Sequence, residues 1–182
     1  MTSQGPYFSD FIRPSKSADC DNKIRFMEKT NQNNLLGFLQ NNSKYSIFNH
    51  MVELSNMAGI YNSDQMYMTL FVVTDDDIKK HYPEIIFMNM DILTAKTILL
   101  NYTLDRNISL DMLRSSNGMY LVTKSGNRLL CRQDEDGNIF LNGDIKVYDK
   151  IEKVDNAIIL FADNIVMPPN ADCQKNGIRG CY

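Results

Sequence analysis

The chain has 182 residues, of which 43% are hydrophobic and 23% are charged, and its net charge is -3. These values are typical of one soluble globular domain with room for additional segments. Because lysine and arginine form no block, the sequence lacks the electrostatic footprint of a protein that binds nucleic acid or an anionic membrane surface. The apolar runs are far shorter than the roughly 20 residues that span a membrane, so we expect no transmembrane segment.

Two polar segments flank the predicted domain. Residues 1–34 and 170–182 lack helical or strand periodicity, whereas residues 35–169 carry periodic apolar patterns. The first segment nevertheless contains five large apolar residues, and a solvated linker rarely carries so many, which favours a tail that binds a partner. These predicted partner-binding residues are Tyr7, Phe8, Phe11, Ile12 and Phe26. The same segment lacks the basic region and the apolar region of a secretory signal, so export is not predicted.

The four cysteines are spread along the chain, at Cys20, Cys131, Cys173 and Cys181. They form no C-x-x-C pair and have no histidine at ligand spacing, which argues against a zinc site. A disulfide between Cys173 and Cys181 stays open, since sequence spacing does not show whether their Cα atoms come close enough.

Helical periodicity begins with LLGFLQ and continues in YSIFNHMVELSNMAGIY. In the second stretch Ile47, Met51, Leu54 and Ala58 recur at helical spacing, which predicts a helix with one face in the core. Gly59 fits the end of that helix, because glycine adopts the left-handed conformation without a steric penalty. The apolar run MTLFVV then predicts a buried strand.

Asp75, Asp76 and Asp77 follow that strand directly. A site for a hard cation needs several oxygen ligands that converge, whereas adjacent carboxylates on a helix point about 100° apart. An aspartate at a helix start accepts hydrogen bonds from free backbone N–H groups, and its neighbours are stabilised by the helix dipole. We therefore expect these residues to start a helix and to hold no metal.

The stretch MDILTAKTILLNYTL predicts a third main helix. Its apolar face consists of Ile92, Ala95, Ile98, Leu99 and Tyr102. After it, short β-rich runs alternate with the turn sequences Ser-Gly-Asn, Asp-Gly-Asn, Asn-Gly and Asp-Asn. This alternation predicts a series of antiparallel hairpins.

One of these turns superficially resembles a calcium loop that starts at Asp134, Asp136 and Asn138. Isoleucine, however, occupies the sixth position, which requires glycine, and the twelfth, which requires glutamate. The calcium interpretation therefore fails. The same residues suit a hairpin turn in which Asp136 and Gly137 take positive φ.

The two histidines are the remaining candidates for catalysis. His50 lies in the second predicted helix and His81 follows Lys80, and neither stands near a Ser or Cys nucleophile motif. Nothing in the sequence brings the two imidazoles within the roughly 3 Å that proton relay requires. We therefore expect no catalytic residue, no metal or cofactor, and no enzymatic activity.

The stretches TLFVVTDDDI and LFADNIVMPP resemble the first and last motifs of the fasciclin-like domain family. The first motif has the form T-[LV]-F-A-P-T-[DN]-x-A-F, with valines here in place of Ala-Pro and Asp-Ile in place of the final Ala-Phe. Its matched residues are Thr69, Leu70, Phe71, Thr74 and Asp75. The last motif reads h-x-h-I-D-x-V-L-x-P, and its matched residues are Asp163, Ile165, Val166 and Pro168.

The resemblance covers about residues 35–169 and implies an α+β domain. In such a domain a β-sandwich or wedge of hairpin-connected strands is flanked by helices from the N-terminal half, and here extended tails would be added on both sides. Fasciclin-like domains are binding and adhesion modules without catalytic residues, so the resemblance also implies a structural or interaction protein. Where the family has a Tyr-His pair linked with integrin-type adhesion, this chain has Asn101 and Tyr102, which argues against that form of adhesion.

Two hypotheses about function follow from the resemblance. In the first, the domain and its tails bind neighbours in a multi-subunit assembly. Family members occur in large DNA viruses, and Asn-, Ile- and Lys-rich stretches such as KTNQNN suit that origin, so we expect a minor capsid protein that binds a major capsid protein in the virion or host cytoplasm. In the second, the protein is an extracellular adhesion or small-ligand-binding module, and the sequons at Asn41, Asn101 and Asn107 carry glycans.

Overall fold

The computed structural model describes residues 33–64 and 67–168. The predictions about the two tails stay predictions, because the structure describes only residues 33 and 34 of them. The tail residues concerned are Tyr7, Phe8, Phe11, Ile12, Phe26, Cys20, Cys173 and Cys181.

Short helices form the first part of the described chain. They are α1 (Leu35–Asn41), a 3-10 turn (Ser43–Tyr45), α2 (Ser46–Leu54) and α3 (Ala58–Tyr61). Asn34 caps α1, since its side-chain oxygen accepts a hydrogen bond from the Gly37 amide at 2.9 Å. The helical periodicity read from both apolar stretches is therefore confirmed.

The second of these stretches contains two helices where the sequence predicts one. α2 ends at Leu54, and Asn56 beyond it takes the left-handed conformation with a φ of 59°. Asparagine tolerates this conformation because its short polar side chain can hydrogen-bond locally. The prediction that Gly59 ends the helix is wrong, since Gly59 lies inside α3 and Ala58 begins that helix.

A strand buried at every residue, β1 (Met68–Val73), follows, as its apolar run predicts. Next come three helices, α4 (Asp75–His81), α5 (Ile85–Met88) and α6 (Ile92–Asn101). The predicted apolar face of α6 is buried from Ala95 onward, whereas Ile92 on the same face is 53% exposed. Periodicity defines a face of a helix, but it does not show how far along that face a neighbouring element covers it.

The second half of the described chain is mainly β-structure. Its elements are β2 (Thr103–Leu104), α7 (Leu110–Ser115), β3 (Tyr120–Val122), β4 (Arg128–Gln133), β5 (Ile139–Leu141), β6 (Ile145–Val154) and β7 (Ala157–Ala162). The strands form one sheet in the order β2-β1-β7-β6-β5-β4-β3. β1 and β7 are parallel and the other neighbouring strands are antiparallel. This architecture confirms the predicted α+β class and the hairpin series.

The turns use the predicted residues, with one correction. Asn142 and Gly143 both have positive φ, at 53° and 92°. In the β4–β5 turn, however, Gly137 has a φ of 83° and Asp136 does not take positive φ. Five residues separate the strands there, and the first and last of them pair, since the Asp134 amide donates to the Asn138 carbonyl at 3.0 Å. Three residues are therefore left for the turn itself, and of these only Gly137 takes the left-handed conformation. The Asp134 carboxylate orders this turn by accepting the amides of residues 136 and 138 at 3.0 and 2.7 Å.

The sheet is nearly closed, because the two strands at its ends meet at one point. The Lys124 amide, just after β3, donates to the Thr103 carbonyl of β2 at 2.7 Å. Inside, large side chains such as Phe48, Tyr61 and Phe71 are completely buried, and each contributes about 1.5 to 3 kcal/mol through its burial. Within the described residues, none of the helices has the length and apolar character that crossing a membrane requires.

Candidate functional site

The two motifs that carry the family resemblance lie side by side in the sheet. β1 pairs with β7 in parallel register from Met68 opposite Ala157 to Val73 opposite Ala162. The residues that follow the two strands, Thr74 and Asp163, therefore leave the sheet at the same end. The parallel pairing brings together motifs that are remote in sequence.

The first motif has a structural role at its start. Thr69 is fully buried, and its hydroxyl donates to the Arg106 carbonyl at 2.7 Å and accepts from the Ile108 amide at 2.8 Å. These two bonds hold the loop after β2 against β1. Leu70 and Phe71 are also fully buried and lie in the core.

Residues at the end of the first motif cap the N-termini of two helices. Thr74 caps α4, since its hydroxyl oxygen accepts a hydrogen bond from the Asp77 amide at 3.2 Å. The Asp75 carboxylate instead caps α2, by accepting the amides of Ser46 and Ile47 at 3.1 and 3.0 Å and the hydroxyl of Ser46. The aspartates therefore do start a helix, as the sequence predicts, but the cap of that helix is a threonine and Asp75 serves another helix.

Asp77 is the centre of a polar cluster at this end of the sheet. Its carboxylate accepts hydrogen bonds from Lys80 at 2.5 Å, Thr74 at 3.0 Å and Tyr148 at 3.3 Å. Burial raises the pKa of Asp77, but the three hydrogen bonds and the charge of Lys80 outweigh it, so the pKa lies below its ordinary value. Asp77 is therefore a stably ionised structural group and a poor proton donor near neutral pH.

The last motif begins where β7 ends, and it forms hydrogen bonds with neighbouring elements. Asp163 pairs with Lys146 of β6, since its carboxylate accepts the Lys146 amide at 2.8 Å and its own amide donates to the Lys146 carbonyl at 3.0 Å. Ile165 is fully buried, and its carbonyl accepts the Tyr82 hydroxyl at 3.1 Å. Beyond Ile165, Val166 is 52% exposed and Pro168 is partly buried.

A shallow cleft of about 360 Å³ lies beside this last segment. Its lining residues are Thr97, Asn101, Tyr102, Asn127, Arg128, Leu129, Asn142, Val166, Met167 and Pro168. Burial raises the pKa of Tyr102 to about 12, and its hydroxyl oxygen accepts the Val166 amide at 2.6 Å. The Asn101 side-chain oxygen accepts hydrogen bonds from Ser125 and Asn127, so this polar group of the cleft is already bound within the protein.

The remaining candidates for chemistry are scattered. His50 and His81 are both exposed, and His50 lines a separate groove of about 170 Å³ with Phe87 and Met88. Burial raises the pKa of the Cys131 thiol, which donates to the Leu113 carbonyl at 3.4 Å. In residues 33–64 and 67–168, no three histidine, cysteine or acidic side chains gather in a way that could hold a metal ion.

Four large apolar side chains on α5 and at the start of α6 are each more than half exposed. They are Ile85, Met88, Ile92 and Leu93, and we call them the helical apolar surface. Sequence reasoning missed this surface because the same residue types also build helix faces that pack in the core. The density of large apolar residues between 85 and 93 is the signal that could have shown it.

Comparison with known proteins supports the fold. No protein-family model matches the chain, and no curated protein matches it in sequence. Among solved structures, a FAS1 domain pair from the insect cell adhesion molecule fasciclin I superposes with a TM-score of 0.64 and 21% sequence identity. The match covers 76% of this chain and 52% of that chain, so this chain spans about half the length of the pair. The chain therefore has a fasciclin-like α+β fold.

Proposed function

We propose that the protein is a non-enzymatic binding module that contacts neighbouring proteins in a large assembly. The observation that carries this proposal is the fasciclin-like fold, shared with a domain pair from a cell adhesion molecule. Fold alone does not determine function, so the surface has to supply the second argument.

The helical apolar surface supplies that argument. Apolar side chains that are exposed together are a common mark of a protein–protein contact, because covering them releases ordered water. Met88 and Leu93 are 68% and 73% exposed, so neither contributes much to the core. Their exposure favours binding to another protein over binding of a small ligand, which would require a deeper pocket.

The finer proposal is a minor capsid-associated protein that acts in the virion or the host cytoplasm and binds a major capsid protein. The Asn-, Ile- and Lys-rich stretches support this part, since proteins of large DNA viruses share that composition. The five apolar residues of the N-terminal tail, from Tyr7 to Phe26, are proposed to bind the neighbouring subunit as well.

Paired surface variants test the role of the domain. Met88→Glu combined with Leu93→Glu places charges on the helical apolar surface, whereas Lys44→Glu combined with Lys153→Glu changes exposed residues elsewhere. We expect both double variants to fold, and the first alone to copurify less with the native assembly. Equal copurification of the two variants would exclude this surface as the contact.

A second experiment tests the tail. Deleting residues 1–30 should leave the unfolding temperature of the domain nearly unchanged but weaken its incorporation into the assembly. Replacing Phe8, Phe11 and Phe26 by serine in the full-length chain is the matched point-variant form of the experiment. Full incorporation of both variants would show that the tail does not bind the neighbour.

The alternative is an extracellular adhesion or small-ligand-binding module. It is supported by the adhesion protein in which the same fold occurs and by the exposed sequons at Asn41 and Asn107. Asn101, in the third sequon, is half-buried and packs against the β3–β4 turn. Glycans on Asn41 and Asn107 in native material would favour this alternative over the assembly role.

A further inference from the structure

Within the described parts of the chain, the backbone hydrogen bond from Lys124 to Thr103 joins the two ends of the sheet, and the Lys124 side chain binds Asp105 beside it. On one side of that contact, the chain after β2 turns towards β1, where the Arg106 carbonyl accepts the Thr69 hydroxyl. The edge of β3 on the same side is left without a partner strand in those parts. We call this open stretch beside β3 the seam.

The hydrogen bonds of the β3–β4 hairpin show which backbone groups face the seam. The Thr123 amide donates to the Asn127 carbonyl at 2.8 Å, so these two residues form a hydrogen-bonded pair. In an antiparallel ladder such pairs alternate with non-bonded pairs. Tyr120 and Val122 therefore direct their N–H and C=O groups away from β4, and the seam offers two donors and two acceptors.

The side chains of the same residues form an apolar strip. Tyr120 and Val122 are 57% and 56% exposed, whereas Leu121 between them is buried. Arg128 lies directly across from Val122, and its guanidinium lies over the Tyr120 ring at 6.0 Å from the ring centre. An incoming strand would therefore meet apolar contacts next to a cation.

The charged residues next to the seam are mainly basic, although the chain as a whole is negative. Arg106 after β2 and Arg128 on β4 are exposed, and neither forms a salt bridge with any residue of the described ranges. The acidic residue at this place, Asp105, is already bound to Lys124 at 2.5 Å. Negative charge on a partner would therefore complement two unpaired guanidinium groups.

We propose that the seam binds an extended, acidic segment of a partner protein, which adds to β3 as a further strand. In this mode the main-chain hydrogen bonds supply affinity and alternate side chains supply specificity. An apolar side chain of the segment packs beside Tyr120, and a carboxylate binds Arg128. The inference rests on the proposed role as a binding module and specifies the chemistry of its partner.

The test uses the full-length chain and a labelled, end-blocked peptide of about eight residues in which valine alternates with glutamate. A matched peptide has lysine in place of glutamate, and fluorescence anisotropy measures binding of both. We expect the glutamate peptide to bind at least about tenfold more tightly, and more weakly as salt is added. Equal affinities, or no binding of the glutamate peptide at millimolar concentration, overturn the proposal.

Variants locate the binding at the seam. Val122→Pro removes a donor that faces the seam, and proline is tolerated at a sheet edge, so this variant should fold and lose binding, while Val122→Thr should keep it. Arg128→Glu should reverse the preference towards the lysine peptide. This charge-reversal variant tests the proposal even if the proline variant does not fold, since an unchanged preference contradicts it.

Two further outcomes distinguish this inference from a nucleic-acid partner and from the general binding role. If a single-stranded oligonucleotide bound at the same residues more tightly than the glutamate peptide does, the proposal of a protein partner would be overturned. If the peptide does not bind but the native assembly still copurifies with Arg128→Glu, the seam inference fails and the general binding role stands. If Arg128→Glu no longer copurifies with the assembly and its peptide preference is reversed as expected, the result supports both the seam inference and the general binding role.

Discussion

The Asp75 carboxylate binds the backbone amide of Ser46 at 3.1 Å, although the two residues are 29 positions apart. The bond joins the start of α4 to the start of α2. It also satisfies backbone N–H groups that the first turn of α2 leaves without a helical partner. One carboxylate thereby sets the relative position of two helices beside β1.

Asp75→Ala should lower the free energy of unfolding by about 1 to 3 kcal/mol, because it leaves the amides of Ser46 and Ile47 without their acceptor. Asp76→Ala is the matched control, since Asp76 is exposed in the same turn. Its effect should stay below about 1 kcal/mol. Urea unfolding of both variants measures the difference, and equal losses would contradict the cap.

Asn156→Asp should destabilise the fold by about 2 to 4 kcal/mol. The Asn156 amide nitrogen, buried, donates to the carbonyls of Tyr61 and Ser63 at 2.9 and 2.8 Å, and a carboxylate would place an acceptor against both. Asn117→Asp is the control, because Asn117 is exposed and its side-chain oxygen accepts the Gln133 amide, which a carboxylate can also do. Thermal unfolding should show a large loss for the first variant and little for the second.

Stability should depend on pH through Asp77. Its pKa in the folded protein lies below the ordinary value of 3.8, so the folded state favours the ionised form. The stability that this carboxylate contributes is therefore present above that ordinary value and is lost as the pH falls through the lowered folded value. We expect the stability gap between the native chain and Asp77→Asn to narrow below about pH 4, as followed by urea unfolding. A gap that is constant or widens in acid would contradict this.

The buried hydroxyl groups of Tyr61 and Thr103 should contribute less to the free energy of unfolding. The Thr103 hydroxyl donates to the Leu99 carbonyl at 2.7 Å, so the Tyr61 hydroxyl is the donor in the 2.9 Å bond between Tyr61 and Thr103. Tyr61→Phe should cost about 1 kcal/mol, because one hydrogen bond is lost and no donor is left unpaired. Thr103→Val should cost more, since it removes two bonds and leaves a buried tyrosine hydroxyl without its acceptor. Equal losses in chemical denaturation would contradict this arrangement.

Local signals in the sequence account for much of the fold. The apolar run of β1 and the Asn-Gly turn at Asn142 act through short-range chemistry, namely burial and positive φ. The parallel pairing of β1 with β7 is not encoded locally, because nothing in either strand specifies the other. The family resemblance implied hairpin-connected strands and did not predict this pair, which is visible only in the structure.

The candidate surfaces were harder to predict for a physical reason. A helical pattern shows that Ile92 faces the same way as Ala95, but coverage of that face depends on elements elsewhere in the chain. The cap that Asp75 provides is likewise a relation between two distant segments. The free edge of β3 becomes visible only when the order of the strands is known.

The most direct test of the proposed role is quantitative mass spectrometry of the chain purified from its native source through a density gradient. The ratio of this chain to the major capsid protein would be measured in each fraction. The account predicts that the chain sediments with the capsid particles, and that its ratio to the major capsid protein is the same in every independent preparation. Recovery of the chain only as a free protein, away from any particle, would contradict it.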